Sequence, residues 1–162
     1  MKILDMLGTI SAAATFAEAG EMETALNIMS QGRSEKKIVV AYESADKERE
    51  AIRAAIPLAD RLNSSLLFAR IVKTAPDTTM TNTLVEESHT SFNQTFHEEV
   101  ERINIPTDTV NVKHIVASDE FYSAVNAICR ELKELQFAIL QPENINSSQL
   151  HIGVPFYFLS QA

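Results

Sequence analysis

Short apolar runs alternate with amphipathic stretches along residues 34–162. The apolar runs are rich in β-branched residues, as expected of strands that are buried on both faces of a sheet. The stretches between them carry apolar residues at helical spacing. The predicted strands are residues 38–42, 66–72, 109–116, 137–140 and 156–159, and the predicted helices are residues 46–62, 83–103 and 119–135. This alternation predicts an α/β domain with an open, mostly parallel five-stranded sheet and helices on both faces.

The first 33 residues have a different pattern. Apolar residues recur at helical spacing over residues 3–19 and again over 22–30, and Gly20 stands where a helix C-terminal cap would lie. This pattern predicts a helical hairpin that forms a separate appendage, residues 1–33. Residues 16–26 resemble the turn of a tetratricopeptide repeat. Because one hairpin cannot bury its own apolar face, we expect it to dock on the sheet domain, on a second copy or on a partner protein.

Charge and composition remove several classes of function. The chain of 162 residues has 14 Lys and Arg against 22 Asp and Glu, a net charge of -8. This acidity argues against nucleic acid or an anionic membrane surface as a partner. The single cysteine, Cys129, cannot form an intrachain disulfide, which fits a cytoplasmic location. No apolar run is long enough to predict a membrane span, and Asp5 interrupts an N-terminal stretch that faintly resembles a secretory signal.

Four segments of the chain together resemble the universal stress protein family. Residues 36–44 are similar to its first strand, which usually ends in Asp where this chain has Glu43. Residues 58–63 and 66–72 are similar to its next helix end and strand, and residues 118–120 to its third strand–helix junction. The resemblance covers about residues 36–162. It implies an open five-stranded sheet, a tendency to dimerise, and membership of either an ATP-binding or a non-ATP-binding group.

A missing glycine motif decides between these two groups. ATP-binding members follow the fourth strand with a segment of the form G-x-x-G, about nine residues, then G-S/T. The corresponding residues 141–153 of this chain hold one glycine, Gly153, at their end. Backbone N–H groups that cradle phosphate must approach the anion closely, which glycine permits. Glu143 would also repel a triphosphate. We therefore expect no ATP binding and no cofactor.

Five residues would line a ligand site if one exists. In open parallel sheets, ligands bind at the carboxyl ends of the strands, where the strand order reverses. The candidates at these ends are Glu43, Ser44, Val72, Ser118 and Gln141. As an alternative that we favour, Ser44 and Asp46 cap the following helix and the Glu43 carboxylate is solvated.

Other reactive side chains are given no functional role. His89, Asn93, His97 and Glu101 recur every four residues, but the two histidines lie roughly 12 Å apart on a helix and cannot share one metal ion. We interpret this surface as a solvated acidic face. Cys129 lies on an apolar stripe, which indicates packing rather than redox chemistry.

No arrangement of catalytic residues can be argued from spacing. His114 and His151 are isolated in the sequence and are assigned no role. Neither a nucleophile with its base nor a pair of carboxylates stands out. We therefore expect no enzymatic activity and no metal.

The C-terminal strand indicates how the chain associates. The segment from residue 154 to 159, beginning at Val154 and ending at Leu159, is aromatic and uncharged. At a sheet edge it would invite strand pairing, and pairing of two copies about a two-fold axis satisfies it most simply. As an alternative, the N-terminal hairpin covers this edge. The sequence favours a non-enzymatic regulatory or adaptor module that acts by homodimerisation, with a small-ligand or nucleotide-binding module as the second hypothesis.

Overall fold

A single sheet organises the chain in the computed structural model. The structure describes residues 36–73, 82–103 and 110–159, together with the backbone of residues 2–7 and 15–16. The strands are β1 (Lys2–Leu7), β2 (Thr15–Phe16), β3 (Lys37–Tyr42), β4 (Ser65–Val72), β5 (Val112–Ser118), β6 (Leu135–Gln141) and β7 (Phe156–Phe158). The helices are α1 (Glu48–Leu62), α2 (Asn82–Ile103) and α3 (Phe121–Glu131), with short 3-10 turns at Ala45–Lys47 and Ser147–Gln149.

Five of these strands form the predicted parallel sheet. Their spatial order is β5-β4-β3-β6-β7, and every neighbouring pair in this series is parallel. The order reverses between β3 and β6, where the chain crosses from one half of the sheet to the other. The predicted α/β fold class is therefore confirmed, and all five predicted strands are present.

The structure describes the region of the predicted N-terminal hairpin only at two short strands, so the hairpin as a whole is not tested. The backbone of β1 is extended and pairs antiparallel with β5, and β2 pairs antiparallel with β1. Pairing with β5 satisfies backbone groups along that edge of the sheet, a long-range gain that local helical spacing does not encode. The remainder of the predicted hairpin, residues 1–33, lies outside the described residues. At the described positions, β1 lies at the end of the sheet opposite β7.

The two faces of the sheet carry separate cores. Helix α3 covers one face, where its Val125 and Ile128 pack on small and branched residues such as Val39 and Ala69. Helices α1 and α2 cover the other face, where Ile52 and Phe92 belong to the second cluster. Burial on both faces explains why the strand sequences are apolar runs rather than alternating patterns.

Helix ends differ in detail from the sequence prediction. Helix α1 runs through Pro57 to Leu62, and its C-cap residue Asn63 adopts a left-handed conformation with φ of 52°. Helix α3 is capped by the Glu120 side chain, which accepts the N–H groups of two residues in the first turn. The helix ends at Glu131, and Leu135 already belongs to β6. The chain turns at Glu134, whose φ of 59° is incompatible with a continued helix.

Candidate functional site

The carboxyl ends of β3 and β6 form the crevice at which the strand order reverses. Glu43 and Ser44 follow β3, and Gln141 is the last residue of β6. Tyr42 and Gln141 are direct partners in the parallel ladder, so these positions are adjacent. Val72 and Ser118 end the neighbouring strands β4 and β5 and are also paired. The five predicted candidates thus share one edge of the sheet, as parallel strands require.

The crevice is bridged by contacts within the chain. A carboxylate oxygen of Glu43, Oε2, accepts the backbone N–H of Glu143 at 2.6 Å. The Lys47 ammonium donates to the backbone carbonyl of Pro142 at 3.1 Å. These two contacts join the segment after β3 to the segment after β6 across the reversal point. The backbone N–H of Glu143, which could otherwise face an anion, already binds a carboxylate.

Two further candidates are also engaged. The Ser44 hydroxyl accepts the backbone N–H of Asp46 at 3.2 Å, so Ser44 caps the short turn before α1. The predicted cap by Asp46 is absent, because Lys47 stands at the N-cap of α1 and makes no side-chain capping bond. Gln141 is buried, and its side-chain amide donates to Glu50 at 3.0 Å. Its other amide atom, Oε1, is buried without a hydrogen-bond partner in the described part of the chain.

The loop after β6 is tied to α3 on its other side. The Tyr122 hydroxyl donates to the carbonyl of Asn144 and accepts the N–H of Asn146. The Asn126 side chain donates to the carbonyl of Gln149 and accepts the backbone N–H of His151. This loop is therefore held in place by side chains, where a phosphate-binding loop would leave its N–H groups free for the anion.

A second polar cluster lies beneath α1 and α2. Residue spacing did not predict this cluster. The Tyr42 hydroxyl contacts Glu48 Oε2 at 2.6 Å and His114 Nε2 at 3.2 Å. On its other side, the His114 ring places Nδ1 2.7 Å from His89 Nδ1. All four side chains are buried, with at most 2% of any residue exposed. We call Glu48, Tyr42, His114 and His89, in this order, the buried polar chain.

Burial shifts the pKa of every member of the buried polar chain. Desolvation lowers the pKa of His89 to about 4. The pKa of His114 lies well below its usual range because of burial and of the charges of His89 and Arg70. Burial raises the pKa of Glu48, and burial together with the nearby Glu48 charge raises that of Tyr42. Both histidines are therefore neutral at neutral pH.

The interpretation of α2 as a solvated acidic face is wrong at two positions. His89 is buried in the polar chain, and Glu99 is buried beneath Arg49 and Arg53, which contact its carboxylate at 2.9 Å and 3.0 Å. His97 and Glu101 are exposed, as predicted.

A sequence signal for the buried histidines does exist. His89 fills the i+4 position after Val85 and lies three residues before Phe92, so it completes the apolar stripe of α2. His114 lies two residues from Val112 and two residues from Val116 along β5. The three side chains therefore share one face of the sheet, the face that carries the second core.

The described residues give little support for a metal site or for a reactive thiol. Within them, no group of three or more His, Cys, Asp or Glu side chains could hold a metal ion. Burial raises the pKa of the Cys129 thiol to about 12, so it is protonated at neutral pH. Its side chain packs against the apolar core beneath α3. Among the helices that the structure describes, none is long and apolar enough to cross a membrane.

Comparison with solved structures finds likenesses to the fold of this chain. The structure is similar to the universal stress protein UspA from Lactobacillus plantarum, with a TM-score of 0.49 and 12% identical residues. The match covers 80% of this chain and 100% of that chain. No family model matches the sequence, and no curated protein matches it. The order and direction of the strands establish the fold class by themselves.

Proposed function

We propose that this chain is a non-enzymatic regulatory or adaptor module that works through homodimerisation and does not bind ATP. The observation that carries the proposal is the contrast between two backbone surfaces. The side chains of Glu43, Ser44 and Lys47 at the crevice are hydrogen-bonded within the chain, whereas no strand of the described residues pairs with the outer edge of β7. The association surface is therefore the edge of the sheet.

Two residues of β7 direct their backbone groups away from β6. Pro155 accepts from Ala138, and Leu159 donates to Leu140, so both face β6. Successive residues of a strand direct their N–H and C=O groups to opposite sides. Phe156 and Phe158 therefore direct theirs away from β6. Within the described part of the chain, no strand pairs with this edge.

The side chains of β7 also favour association. Tyr157 is 57% exposed, although its ring packs edge-on against Phe137. The strand carries no charged residue, proline or bulge to discourage pairing. Two copies related by a two-fold axis would pair these strands antiparallel and bring both Tyr157 rings into one interface. This geometry supports a homodimer as the functional form.

The crevice supports the absence of ATP binding through both geometry and charge. The N–H of Glu143 is occupied by Glu43, and the carboxylates of Glu43 and Glu50 contact residues 143 and 141 beside the reversal point. Placing a triphosphate there would break the Glu43 contact and bring like charges together. Lys47 is committed to a backbone carbonyl.

Light scattering on purified protein tests the dimer. We expect a mass twice the 18.0 kDa of one chain. The substitution Tyr157→Lys places a charge on the edge strand and should weaken association at least tenfold. Ile145→Lys is the matched control, since Ile145 is 65% exposed but lies in the loop after β6. A monomeric native protein, or equal effects of the two variants, would contradict the proposal.

Calorimetry with magnesium and ATP tests the second part. We expect no binding at millimolar nucleotide. Tight, magnesium-dependent binding would refute the proposal while leaving the dimer test unaffected.

One observation favours a second candidate, a small-ligand-binding module. Gln141 Oε1 is a buried acceptor at the crevice without a partner in the described residues. An adenine amino group or another small donor could satisfy it. Co-purification of an adenine chromophore, seen as excess ultraviolet absorbance at the nucleotide maximum that Gln141→Leu abolishes, would favour this candidate.

A further inference from the structure

We propose that the buried polar chain is a proton relay that takes up one proton at His89 and delivers it to the Glu48 carboxylate. The relay works by reversing the three hydrogen bonds that connect the two residues. It would make the contact between α1, α2 and the sheet responsive to acid, a property separate from dimerisation.

The direction of the hydrogen bonds follows from Glu48. An ionised carboxylate can only accept, so the Tyr42 hydroxyl donates its hydrogen to Glu48 Oε2. The Tyr42 oxygen must then accept from His114 Nε2, which carries the proton of that ring. Neutral His114 has an unprotonated Nδ1, which accepts from His89 Nδ1. Neutral His89 is left with an unprotonated Nε2.

One added proton can then reside at either end. If it binds His89 Nε2, that ring becomes a cation while Glu48 stays ionised. Transfer of three protons gives the second arrangement: His89 Nδ1–H passes its proton to His114 Nδ1, His114 Nε2–H passes its proton to the Tyr42 oxygen, and the Tyr42 hydroxyl passes its proton to Glu48. Both arrangements hold the same number of protons, and the second leaves the four side chains uncharged.

Burial favours the uncharged arrangement. An imidazolium and a carboxylate separated within an apolar core are both costly, whereas a neutral acid and neutral imidazoles are not. Burial lowers the pKa of both rings and raises that of Glu48, which is consistent with a proton that settles at the acid.

The charged and titratable groups in and around the buried polar chain belong to five elements of the fold. In the part of the molecule that the structure describes they are Tyr42 from β3, Glu48 from α1, Arg70 from β4, His89 from α2 and His114 from β5. Arg70 donates to the Ser88 hydroxyl at 2.9 Å, and its charge favours an ionised Glu48 at neutral pH. Its positive charge also opposes a cationic His114.

Three polar atoms lie at the two ends of the relay and in the neighbouring Arg70 side chain. Glu48 Oε1, His89 Nε2 and Arg70 Nε are all buried without a hydrogen-bond partner among the described residues. The free His89 Nε2 is the atom at which the relay accepts its proton. Because Glu48 begins α1 and His89 belongs to α2, a change of state reverses the hydrogen bonds that join α1 to β3, β3 to β5, and β5 to α2.

Nitrogen NMR of the histidine rings during an acid titration of the full chain tests the relay. At neutral pH we expect the Nε2–H tautomer for His114 and the Nδ1–H tautomer for His89. On acidification both rings should switch tautomer in one step while staying neutral, as the Glu48 carboxyl carbon reports protonation. Three results would overturn the proposal: a His89 ring that becomes an imidazolium without a change at His114, tautomers that never change, or unfolding before any change.

Two variants separate a relay from simple packing. Tyr42→Phe keeps the ring but removes the oxygen that links Glu48 to His114, and Glu48→Gln removes the final proton acceptor. In each, the coordinated tautomer switch should be lost while the fold is retained, as judged by the backbone spectrum. His97→Gln, at an exposed position of the same helix, should leave the switch intact. A switch that persists in either relay variant would contradict the assignment.

Discussion

The two faces of the sheet are built from the same strands but differ in chemistry. Beneath α3, the strands contribute aliphatic residues, and the helix adds Val125 and Ile128. Beneath α1 and α2, the aliphatic residues are interrupted by Tyr42, Arg70 and His114, which engage polar groups of both helices. Side chains alternate between faces at each residue, so one strand can supply an apolar core on one side and a polar chain on the other.

This difference between the two faces indicates where a change of pH can alter the stability of the fold. An apolar face gains its stability from burial and packing, which do not change with protonation. A face with a buried polar chain depends on each hydrogen bond being made and on each group holding its native charge. The two faces should therefore respond differently to substitution and to acid.

The largest effect is expected from an apolar truncation beneath α3. Ile128 is fully buried, and Ile128→Ala removes methyl groups and leaves a cavity. The free energy of unfolding should fall by about 2–5 kcal/mol. Urea denaturation at neutral and at mildly acid pH should give the same loss. A loss that changes with pH would show that the two faces are not independent.

A smaller loss is expected from one hydroxyl of the buried polar chain. Tyr42→Phe leaves buried Glu48 and His114 without the partner they share, and should cost about 1–3 kcal/mol at neutral pH. Tyr157→Phe removes an exposed hydroxyl and is the matched control, with little expected change. Equal denaturation midpoints for the two variants would mean that the polar chain contributes nothing to stability.

The polar face should also weaken in acid. Burial lowers the pKa of His89 to about 4 in the folded state, whereas an unfolded histidine titrates near its ordinary pKa of 6.5. Between these values the unfolded state binds more protons, so stability falls as the pH falls, by roughly 1 kcal/mol per pH unit for this residue.

Substitution of the histidine isolates this contribution. His89→Gln should flatten the decline of stability between these two pKa values, and His97→Gln should not. The measurement is the free energy of unfolding from urea denaturation at several pH values. An unchanged slope in the His89 variant would contradict the assignment.

The smallest effects belong to the ion pairs on the rim of the polar face. Glu99 is buried and contacts Arg49 and Arg53, whereas Glu98 is half-exposed and contacts Arg49. Hydrogen bonding to Arg53 lowers the pKa of Glu99. Glu99→Gln should therefore destabilise more than Glu98→Gln, whose effect should vanish in high salt. Thermal melts at two salt concentrations distinguish them, and the reverse ranking would count against the assigned contacts.

The parallel sheet could be predicted because its signals are local. Apolar runs such as residues 38–42 and the stripes of α1 and α2 reflect burial that repeats at a fixed period. The N-terminal strand could not be predicted, because its extended backbone depends on pairing with β5, more than a hundred residues away in sequence. Helical spacing in residues 3–7 carried no information about that partner.

The candidate sites were predictable to different degrees. The carboxyl ends of the strands follow from the fold class, so Glu43 and Gln141 could be placed together without coordinates. Their contacts across the crevice depend on loop geometry, which sequence spacing does not give. The buried polar chain joins residues from two strands and two helices. Only the positions of His89 and His114 within apolar patterns indicate that these two side chains are buried.

Sedimentation of the full chain with millimolar ATP and magnesium tests the central claim most directly. Detection of protein and nucleotide in the same run reports association and ligand binding together. We predict that the protein sediments as a dimer with or without ATP and that the nucleotide absorbance stays behind. A monomer, or nucleotide that travels with the protein boundary, would contradict the account.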